Sequence, residues 1–386
     1  MDSSVRGLNA SVCDVGGFTF TDRPMPTTLP EYTVARSSLV EYLSRRKDVV
    51  ALYEYGSVSA PGLSDLDFIV VLADRPAPDI ARYLDRAALP SDAARIMARA
   101  TLMVMSESNF PDVTRWDDLR LVLRCGRPVE TVCLEGRALL LTEMCRVIDW
   151  LPWQIARLTR VIAARRIPVV TTIGWLYSLT YSFRRLETAF GISHDRWRVF
   201  QEQIVELRRR YLTHPDSVEK RLAVLVPEGH LVACDAMRKF AEYLISELSV
   251  YGPQGAPAIR LTVPGGTVLD FVVRRGVPSP SELVSAATEG TTIVHLPALL
   301  GRHFATYGVA DGVIGGALRM ALTPPVSASD TLRVATEMQE ILRERISACN
   351  RWALFLMDNG IPSGLFKFAW FFGDERSDWD ARSTFR

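Results

Sequence analysis

Apolar positions in the first third of the chain follow two different periods. Leu39, Val40, Tyr42 and Leu43 recur at helical spacing and predict a helix that ends near residues 45–46. Shorter apolar runs follow, and a helical pattern over 78–100 is interrupted near Pro90. The runs predict strands at 49–53, 65–72 and 102–105, and a β-hairpin formed by 119–124 and 129–134. This part of the chain therefore predicts a mixed sheet with helices.

Residues 139–248 have a different pattern, with long helical periods and few β-branched runs. Helix breaks are expected at Pro168, Gly191, Pro215 and 227–229. After the linker-like stretch 251–258, two apolar runs at 259–263 and 268–273 enclose Pro-Gly-Gly and predict a second hairpin. A long amphipathic helix is expected over 331–357, with its end at Asn359-Gly360.

The order of these elements predicts an α/β fold with a mixed sheet, followed by a helical domain and a small α+β C-terminal unit. The length of 386 residues suits two or three domains. The predicted boundaries are an N-terminal arm at 1–30, an α/β domain at 31–138, a helical domain at 139–250 and the C-terminal unit at 257–386.

Composition excludes several functional classes. Forty-eight per cent of the residues are hydrophobic, which is typical of a folded protein rather than a disordered one. The net charge of +1 gives no general argument for a dedicated nucleic-acid or membrane-surface protein. The longest uncharged apolar stretch, 169–183, is too short for a membrane span. Six scattered cysteines and the lack of a readable signal peptide favour a reducing cytoplasm, and no membrane partner is expected. The oligomeric state cannot be read from the sequence.

One segment combines residues with a distinct chemistry, from Tyr55 to Leu72. Side chains of a strand alternate between its two faces, so Asp65 and Asp67 share one face at the start of an apolar strand. Two adjacent carboxylates repel each other as they lose hydration, unless a proton or a cation compensates. Hard oxygen ligands favour Mg²⁺, with Mn²⁺ as the substitute. Gly56-Ser57, at the end of the preceding strand, offers backbone N–H groups and a hydroxyl that can hold phosphate oxygens.

This pattern resembles the nucleotidyltransferase superfamily, which includes DNA polymerase β, the CCA-adding enzymes and the aminoglycoside nucleotidyltransferases. Tyr55-Gly56-Ser57 and Asp65-Leu66-Asp67 match the two halves of its signature, an apolar residue followed by Gly-Ser and then Asp-x-Asp before an apolar strand. The seven residues between Ser57 and Asp65 form a shorter loop than is common in that family.

The resemblance implies a nucleotidyltransferase domain and a third carboxylate that completes a two-metal site. Glu130 matches that position best, with Glu135, Asp117 and Asp118 in reserve. The implied reaction moves a nucleoside monophosphate from a nucleoside triphosphate, ATP among the candidates, to an acceptor hydroxyl, with release of pyrophosphate. Arg184 and Arg185 are the expected clamp on the β- and γ-phosphates. A small-molecule acceptor ranks first and an RNA acceptor second.

Two other functions remain open. The Asp-x-Asp of nucleotide-sugar glycosyltransferases also binds a divalent metal, but there the apolar strand usually leads into the acids, whereas here 68–72 follows them. A catalytically inactive relative would bind nucleotide and regulate a partner, and this hypothesis gains if neither Glu130 nor another acid lies near the pair.

Other residues carry weaker signals. His194, His214, His295 and His303 lack an acid or cysteine one helical turn away and are expected to be structural. Trp175, Tyr177, Tyr181 and Phe183 are expected in a helical core, with a base-binding pocket as the alternative. The stretch 151–215 has eleven arginines, no lysine and four acids, so its charge is +7. Solvated helix faces are the first interpretation of this charge, and a phosphate-facing surface is the second.

Overall fold

The computed structural model shows a mixed α/β protein. The residues it describes are 17–24, 26–97, 102–115, 120–211, 214–248, 258–262, 268–272, 279–288, 291–295, 337, 340, 341, 344, 347, 348, 351, 352 and 354–361. No helix among these residues is both long and apolar enough to span a bilayer.

The chain forms two compact units, and each is discontinuous in sequence. The unit that we call the sheet unit comprises Pro26–Met144 and Thr336–Arg386. The second, the helical unit, comprises Met1–Met25 and Cys145–Ala335. Each is described separately below.

A four-stranded mixed sheet organises the sheet unit. Its strands are β2 (Val49–Tyr55), β3 (Asp67–Leu72), β4 (Met103–Ser106) and β5 (Val122–Gly126). Their order is β4-β3-β2-β5, with β3 antiparallel to β2 and parallel to β4. Five of the six residues of β3 are buried, because this strand is central and both of its faces are covered. The register pairs Tyr55 with Asp67, so the end of β2 lies beside the start of β3.

Short helices surround this sheet: α1 (Leu29–Ser44), α2 (Ile80–Leu84), α3 (Ser91–Ile96) and α4 (Phe110–Thr114). Helix α1 begins at Thr28, where Glu31 accepts a hydrogen bond from the Thr28 backbone N–H at 2.7 Å in a capping box. Tyr32, Leu39 and Leu43 form its buried face, as the helical spacing requires.

The predicted strands 49–53, 65–72 and 102–105 are confirmed within one or two residues. The predicted strand at 129–134 is wrong, because residues 127–135 contain no strand. Gly126 ends β5 with a φ of +84°, and Pro128 has no N–H to donate to a ladder. The Val129 N–H instead donates to the hydroxyl of Tyr53 at 2.7 Å. The predicted hairpin therefore reduces to the single edge strand β5.

Helical residues near the C-terminus complete the core of the sheet unit. Trp352 is 1% exposed, and its indole N–H donates to the backbone oxygen of Val104 at 2.6 Å. The predicted helix end is confirmed: Gly360 has a φ of +61°, and the Ile361 N–H donates to the Leu356 oxygen. The prediction had placed these residues in a separate C-terminal unit at 257–386, whereas the structure groups them with the sheet. The cause is the apolar face around Trp352, which the sheet buries.

The described part of the helical unit contains four long helices, a two-stranded sheet and, at 258–295, a small three-stranded sheet with one helix. The long helices and the two-stranded sheet are β1 (Thr19–Thr21), α5 (Gly136–Ala164), β6 (Arg166–Pro168), α6 (Val169–Phe190), α7 (Asp195–Arg210) and α8 (Pro215–Leu248), the first turns of α5 belonging to the sheet unit. The predicted boundaries at Pro168, Gly191 and Pro215 are confirmed. The predicted break at 227–229 is wrong, because α8 continues through Pro227. Packing explains this: a Cβ on Gly229 would lie 2.5 Å from a methyl group of Leu176, so the missing side chain lets α8 approach α6 closely.

The N-terminal arm is attached to the helical unit at residues 18–23. Strand β1 pairs with β6 in parallel, and Phe18 and Phe20 are buried. Arg23 makes a bidentate ion pair with the buried carboxylate of Glu219, with N–O distances of 2.7 and 3.0 Å. The sequence pattern predicts only an arm at 1–30, either laid on the surface or poorly ordered, because both partners of these contacts are far away in sequence.

The second predicted hairpin is confirmed in a small three-stranded sheet. It consists of β7 (Ala258–Thr262), β8 (Val268–Val272) and β9 (Thr291–His295), with α9 (Pro280–Thr288) between the last two strands. Strand β8 is antiparallel to β7 and parallel to β9. The helix is the crossover that two parallel neighbours require. His303 lies outside the described residues.

Candidate functional site

The candidate site lies where β2 ends and β3 begins. Because Tyr55 and Asp67 are paired across the two strands, the turn that follows Tyr55 is adjacent to Asp67. Gly56 has a φ of +78°, a conformation that glycine adopts at no steric cost. An added Cβ on Gly56 would lie 3.8 Å from the Oδ2 atom of Asp67. The structure thus brings the Gly-Ser turn and the second aspartate of the motif together.

The exposure of these residues fits a site that a solute can reach. Gly56, Ser57 and Asp65 are exposed, and Asp67 is half-buried. Ser57 accepts a backbone hydrogen bond from Ser59 at 3.1 Å, which tightens the turn. The strand that follows Asp67 is buried, so the acids lie at the boundary between solvent and core.

A tyrosine of α1 holds the loop between the two halves of the motif. The hydroxyl of Tyr32 donates to the backbone oxygen of Ser64 at 2.6 Å and accepts from the Gly62 N–H at 3.0 Å. Within the loop, the Ser64 hydroxyl accepts from the Ala60 N–H, and the Ser64 N–H donates to the Ala60 oxygen. Tyr32 is 3% exposed, so this anchor is part of the core. A short loop is therefore held in one conformation directly before Asp65.

Glu130 is exposed and lies in the irregular segment after β5. Its neighbour Val129 is hydrogen-bonded through its N–H to the Tyr53 hydroxyl. Tyr53 is two residues before Tyr55, so its side chain is on the same face of the sheet as Asp67. The segment that carries Glu130 is therefore attached to the face on which Asp67 lies, although Glu130 is not on a strand. Asp65 precedes β3, so the prediction that Asp65 and Asp67 alternate along one strand is wrong. Glu135 is also exposed in this segment, and Asp117 and Asp118 lie outside the described residues.

The donor set can be compared with what a divalent cation requires. Among the described residues, no group of three or more His, Cys, Asp or Glu side chains is arranged to hold a metal. Mg²⁺ is commonly bound by one or two carboxylates together with substrate phosphates and water. Asp65 and Asp67 fit that smaller requirement, since both offer oxygen ligands at the site entrance.

A buried acid of this region was missed by the sequence reasoning. Glu54 is 7% exposed on β2 and accepts a bidentate pair of hydrogen bonds from Arg36 at 2.7 and 2.8 Å. Arg124 of β5 donates to the same carboxylate at 2.6 Å. Burial raises the pKa of Glu54, but the guanidinium groups of Arg36 and Arg124 outweigh it and hold the pKa below its ordinary value. The only sequence signal for a buried Glu54 is that an acid lies inside an apolar strand with no acidic neighbour. This signal can be interpreted only once the structure is known.

Comparison of the chain with protein-family models, with curated proteins and with solved structures gives no match. The interpretation of the candidate site therefore rests on the geometry of the site alone.

The predicted phosphate clamp lies in the other unit. Arg184 is exposed and Arg185 is half-buried, both on α6. Two cavities of the helical unit are also lined by described residues: a groove of about 590 Å³ along α7 and a smaller one of about 150 Å³ at the α6–α7 turn. Neither includes a residue of the motif. The remaining histidines with described side chains are structural or at the surface: His194 accepts a hydrogen bond from the Arg196 N–H at the start of α7, and His214 is exposed.

Proposed function

We propose that the protein is a Mg²⁺-dependent nucleotidyltransferase that moves a nucleoside monophosphate from a nucleoside triphosphate to an acceptor hydroxyl. The observation that carries this proposal is the Gly56 turn, with its positive φ, beside the carboxylate of Asp67. A turn that can receive phosphate next to acids that can receive a cation is the combination that phosphoryl transfer needs.

The roles of the residues follow from their positions. Backbone N–H groups of the Gly56-Ser57 turn and the Ser57 hydroxyl hold the β- and γ-phosphates, because no side chain at Gly56 obstructs their approach. Asp65 and Asp67 would hold the Mg²⁺ ion. That cation, when present, neutralises charge on the phosphates and on the leaving pyrophosphate. The acceptor oxygen forms a bond to the α-phosphorus while the bond to the β-phosphate oxygen breaks, and the hydroxyl proton passes to solvent.

Glu130 distinguishes this proposal from the second candidate. A nucleotide-binding regulator needs only Asp65 and Asp67, and the absence of a three-acid metal group among the described residues favours that alternative. A transferase needs a further base or ligand to activate the acceptor hydroxyl, and Glu130 is attached to the appropriate face through Val129.

Nucleotide binding is tested by thermal shift with ATP, GTP, CTP, UTP and UDP-glucose, each with and without Mg²⁺. One triphosphate at about 100 times its Kd is expected to stabilise the protein by about 2.7 kcal/mol in the presence of Mg²⁺ only. Asp67→Asn should remove the shift, whereas Asp92→Asn, an exposed acid in the first turn of α3, serves as the matched control and should retain it. A shift with UDP-glucose alone would favour a glycosyltransferase, and no shift with any nucleotide would reject the proposal.

Glu130→Gln separates transferase from regulator. In the transferase, the variant keeps its nucleotide affinity within about threefold, equivalent to about 0.6 kcal/mol. Its pyrophosphate release with a panel of polyhydroxylated small molecules falls about a thousandfold, equivalent to about 4 kcal/mol. Wild-type protein that binds nucleotide but releases no pyrophosphate with any acceptor, RNA 3′ ends included, would establish the regulator instead.

A further inference from the structure

Helix α6 presents two tyrosines on one face of the helical unit. Tyr177 and Tyr181 are one helical turn apart, and their rings meet edge to face with centroids 5.6 Å apart. Tyr177 is half-buried, but Tyr181 is 45% exposed. Phe183, two positions further along, is 1% exposed and belongs to the core. The expected core role thus holds for Phe183 but does not account for Tyr181.

Two arginines flank these rings. The guanidinium carbon of Arg208, on α7, lies 3.8 Å from the ring centroid of Tyr177 in a cation–π contact. Arg184 is exposed and follows Tyr181 by three positions, so it lies on the same side of α6. Burial and the neighbouring Tyr177 raise the pKa of Tyr181, while the positive charges of Arg208 and Arg184 oppose that rise. Both arginines are thus close enough to act on this ring. We refer to Tyr177, Tyr181, Arg184 and Arg208 as the tyrosine–arginine surface.

The wider region is positive. The stretch 151–215, which contains the whole tyrosine–arginine surface, has eleven arginines and only four acids. Two of these acids are already engaged: Asp195 with Arg198 at 2.7 Å, and Glu206 with Arg210. A positively charged segment that includes the exposed Arg184 and Arg209 favours contact of these helices with a polyanion.

We infer that the tyrosine–arginine surface binds single-stranded nucleic acid. A base stacks on the exposed ring of Tyr181, and the adjacent phosphates contact Arg184 and the arginines at the end of α7. Aromatic rings stack on any base, and arginines beside them follow the backbone, so the pair suits a single strand without sequence preference. This inference does not depend on the proposed transfer reaction. If both hold, RNA becomes a stronger acceptor candidate than a small molecule.

Other polyanions fit the surface less well. Duplexes hide the faces of their bases, so an exposed ring on a straight helix has nothing to stack on. An anionic membrane requires a continuous apolar face. Among the described residues of α6 and α7, the exposed large hydrophobic side chains are only those of Tyr181 and Val199. Binding of a free nucleotide requires few arginines, whereas the segment 151–215 has eleven.

The test is fluorescence anisotropy of the full-length protein with 5′-labelled U₁₂ RNA or dT₁₂ DNA. Comparison of the two affinities shows whether the surface prefers RNA or DNA. Tyr181→Ala should weaken binding about 5- to 150-fold, the equivalent of about 1 to 3 kcal/mol for one stacked base. Tyr181→Phe keeps the ring and should bind within about twofold of wild type. Both variants should fold, because the site is exposed, and circular dichroism verifies this.

Charge is tested separately from stacking. Arg184→Ala should reduce the slope of log K against log salt concentration by about 0.7, the value for one phosphate contact on a single strand. Arg238→Ala removes the same charge from α8, where Arg238 is paired with Asp235 and Glu242, and is the matched control with an unchanged slope. Asp67→Asn should leave U₁₂ binding unchanged, which separates a failure here from a failure of the proposed transfer.

Several results would overturn the inference. These are equal binding by Tyr181→Ala and Tyr181→Phe, a duplex of the same length that binds as well as U₁₂, and ATP that displaces labelled U₁₂ from the Asp67→Asn protein as effectively as unlabelled U₁₂ does. Binding of vesicles of 3:1 phosphatidylcholine and phosphatidylserine in the absence of U₁₂ binding would equally reject it.

Discussion

The two faces of the four-stranded sheet carry carboxylates in opposite circumstances. On the face covered by α1, Glu54 is buried and accepts hydrogen bonds from Arg36 and Arg124. On the other face, at the same end of the sheet, Asp67 is half-buried beside Gly56, and Asp65 is exposed. Glu54 and Asp67 are separated by only one strand spacing, yet they lie on opposite faces of the sheet and differ in exposure.

The difference separates a structural acid from a candidate ligand. The charge of Glu54 is already compensated by guanidinium groups in fixed geometry, so it joins α1 and β5 to β2 and is not available to a cation. The aspartates lie at the end of a rigid loop, where a cation and phosphate can enter from solvent. Four predictions test this comparison.

The largest effect is expected at the aspartates. Asp65→Asn or Asp67→Asn should reduce nucleotidyl transfer at least about a thousandfold, roughly 4 kcal/mol of transition-state stabilisation. The fold should survive either change, because Asp65 is exposed and Asp67 is half-buried at the boundary of the core. Pyrophosphate release and urea unfolding measure the two quantities. Full turnover in both variants would remove these acids from the site.

Glu54→Gln should mainly reduce the stability of the fold rather than nucleotidyl transfer. It leaves two partly buried guanidinium groups without their carboxylate, so we expect a loss of about 2 to 4 kcal/mol in the free energy of unfolding. The pH dependence has a defined sign: the lowered pKa of Glu54 adds stability above the unfolded pKa near 4.5, and this stability is lost as the pH falls through the folded value. Urea titrations at pH 7 and at acid pH should show that the difference between variant and wild type shrinks on acidification. A variant as stable as wild type at pH 7 would contradict the structural role.

Acid titrations of the protein also contain a contribution from His230 in the helical unit, which must be separated from that of Glu54. Burial lowers the pKa of His230 to about 4, and its Nε2 atom lies 2.9 Å from the Thr159 hydroxyl. Because the folded pKa lies below the unfolded one, the neutral ring contributes full stability above about pH 6.5, and about 3 kcal/mol is lost as the pH falls to 4 and below. His230→Gln should flatten this part of the pH profile of Tm, and His214→Gln, an exposed histidine, is the control. An unchanged profile in His230→Gln would show that the ring is hydrated.

The smallest effect is expected in the turn at Gly56-Ser57. A Cβ at Gly56 meets only an ordinary contact, so the cost of Gly56→Ala comes from the positive φ and is about 1 to 2 kcal/mol of stability. Ser57→Ala, at an exposed position, should change stability by less than about 0.5 kcal/mol. Nucleotide affinity should fall further in Gly56→Val than in Ser57→Ala, because the valine side chain lies beside the Asp67 carboxylate. Equal nucleotide affinities of these two variants would place the phosphates elsewhere.

Local sequence pattern was sufficient where burial is continuous. Strands β2 and β3 are short and mainly apolar, and the order of the apolar runs was enough to place Gly56-Ser57 and Asp67 at their junction. The alternation predicted for Asp65 does not apply, because β3 begins at Asp67. The same reasoning failed at 129–134, where alternating residues indicate a strand but Tyr53 takes the backbone N–H that a ladder would need. The helix break predicted at Pro227 is wrong for the opposite reason. Packing of α8 overrides a residue that ordinarily ends a helix.

Long-range contacts could not be found from the pattern. Glu54 is a buried structural acid only because Arg36 and Arg124, 18 and 70 positions away, reach it. Likewise, the attachment of Phe20 to the helical unit depends on β6, which lies almost 150 positions later. Such partners have no local signature, so the roles of these residues appear only in three dimensions.

The discontinuity of the two units limits how the protein can be divided. A fragment with residues 31–138 lacks Trp352, whose indole bonds to Val104, and exposes the surface that this ring covers. A fragment that begins at residue 145 lacks Phe20 and the Arg23 that pairs with Glu219. Neither unit can therefore be expressed from one uninterrupted stretch of its gene. Fusion of 17–24 through a flexible linker to residue 145, or co-expression of complementary fragments, is the route to a separate helical unit.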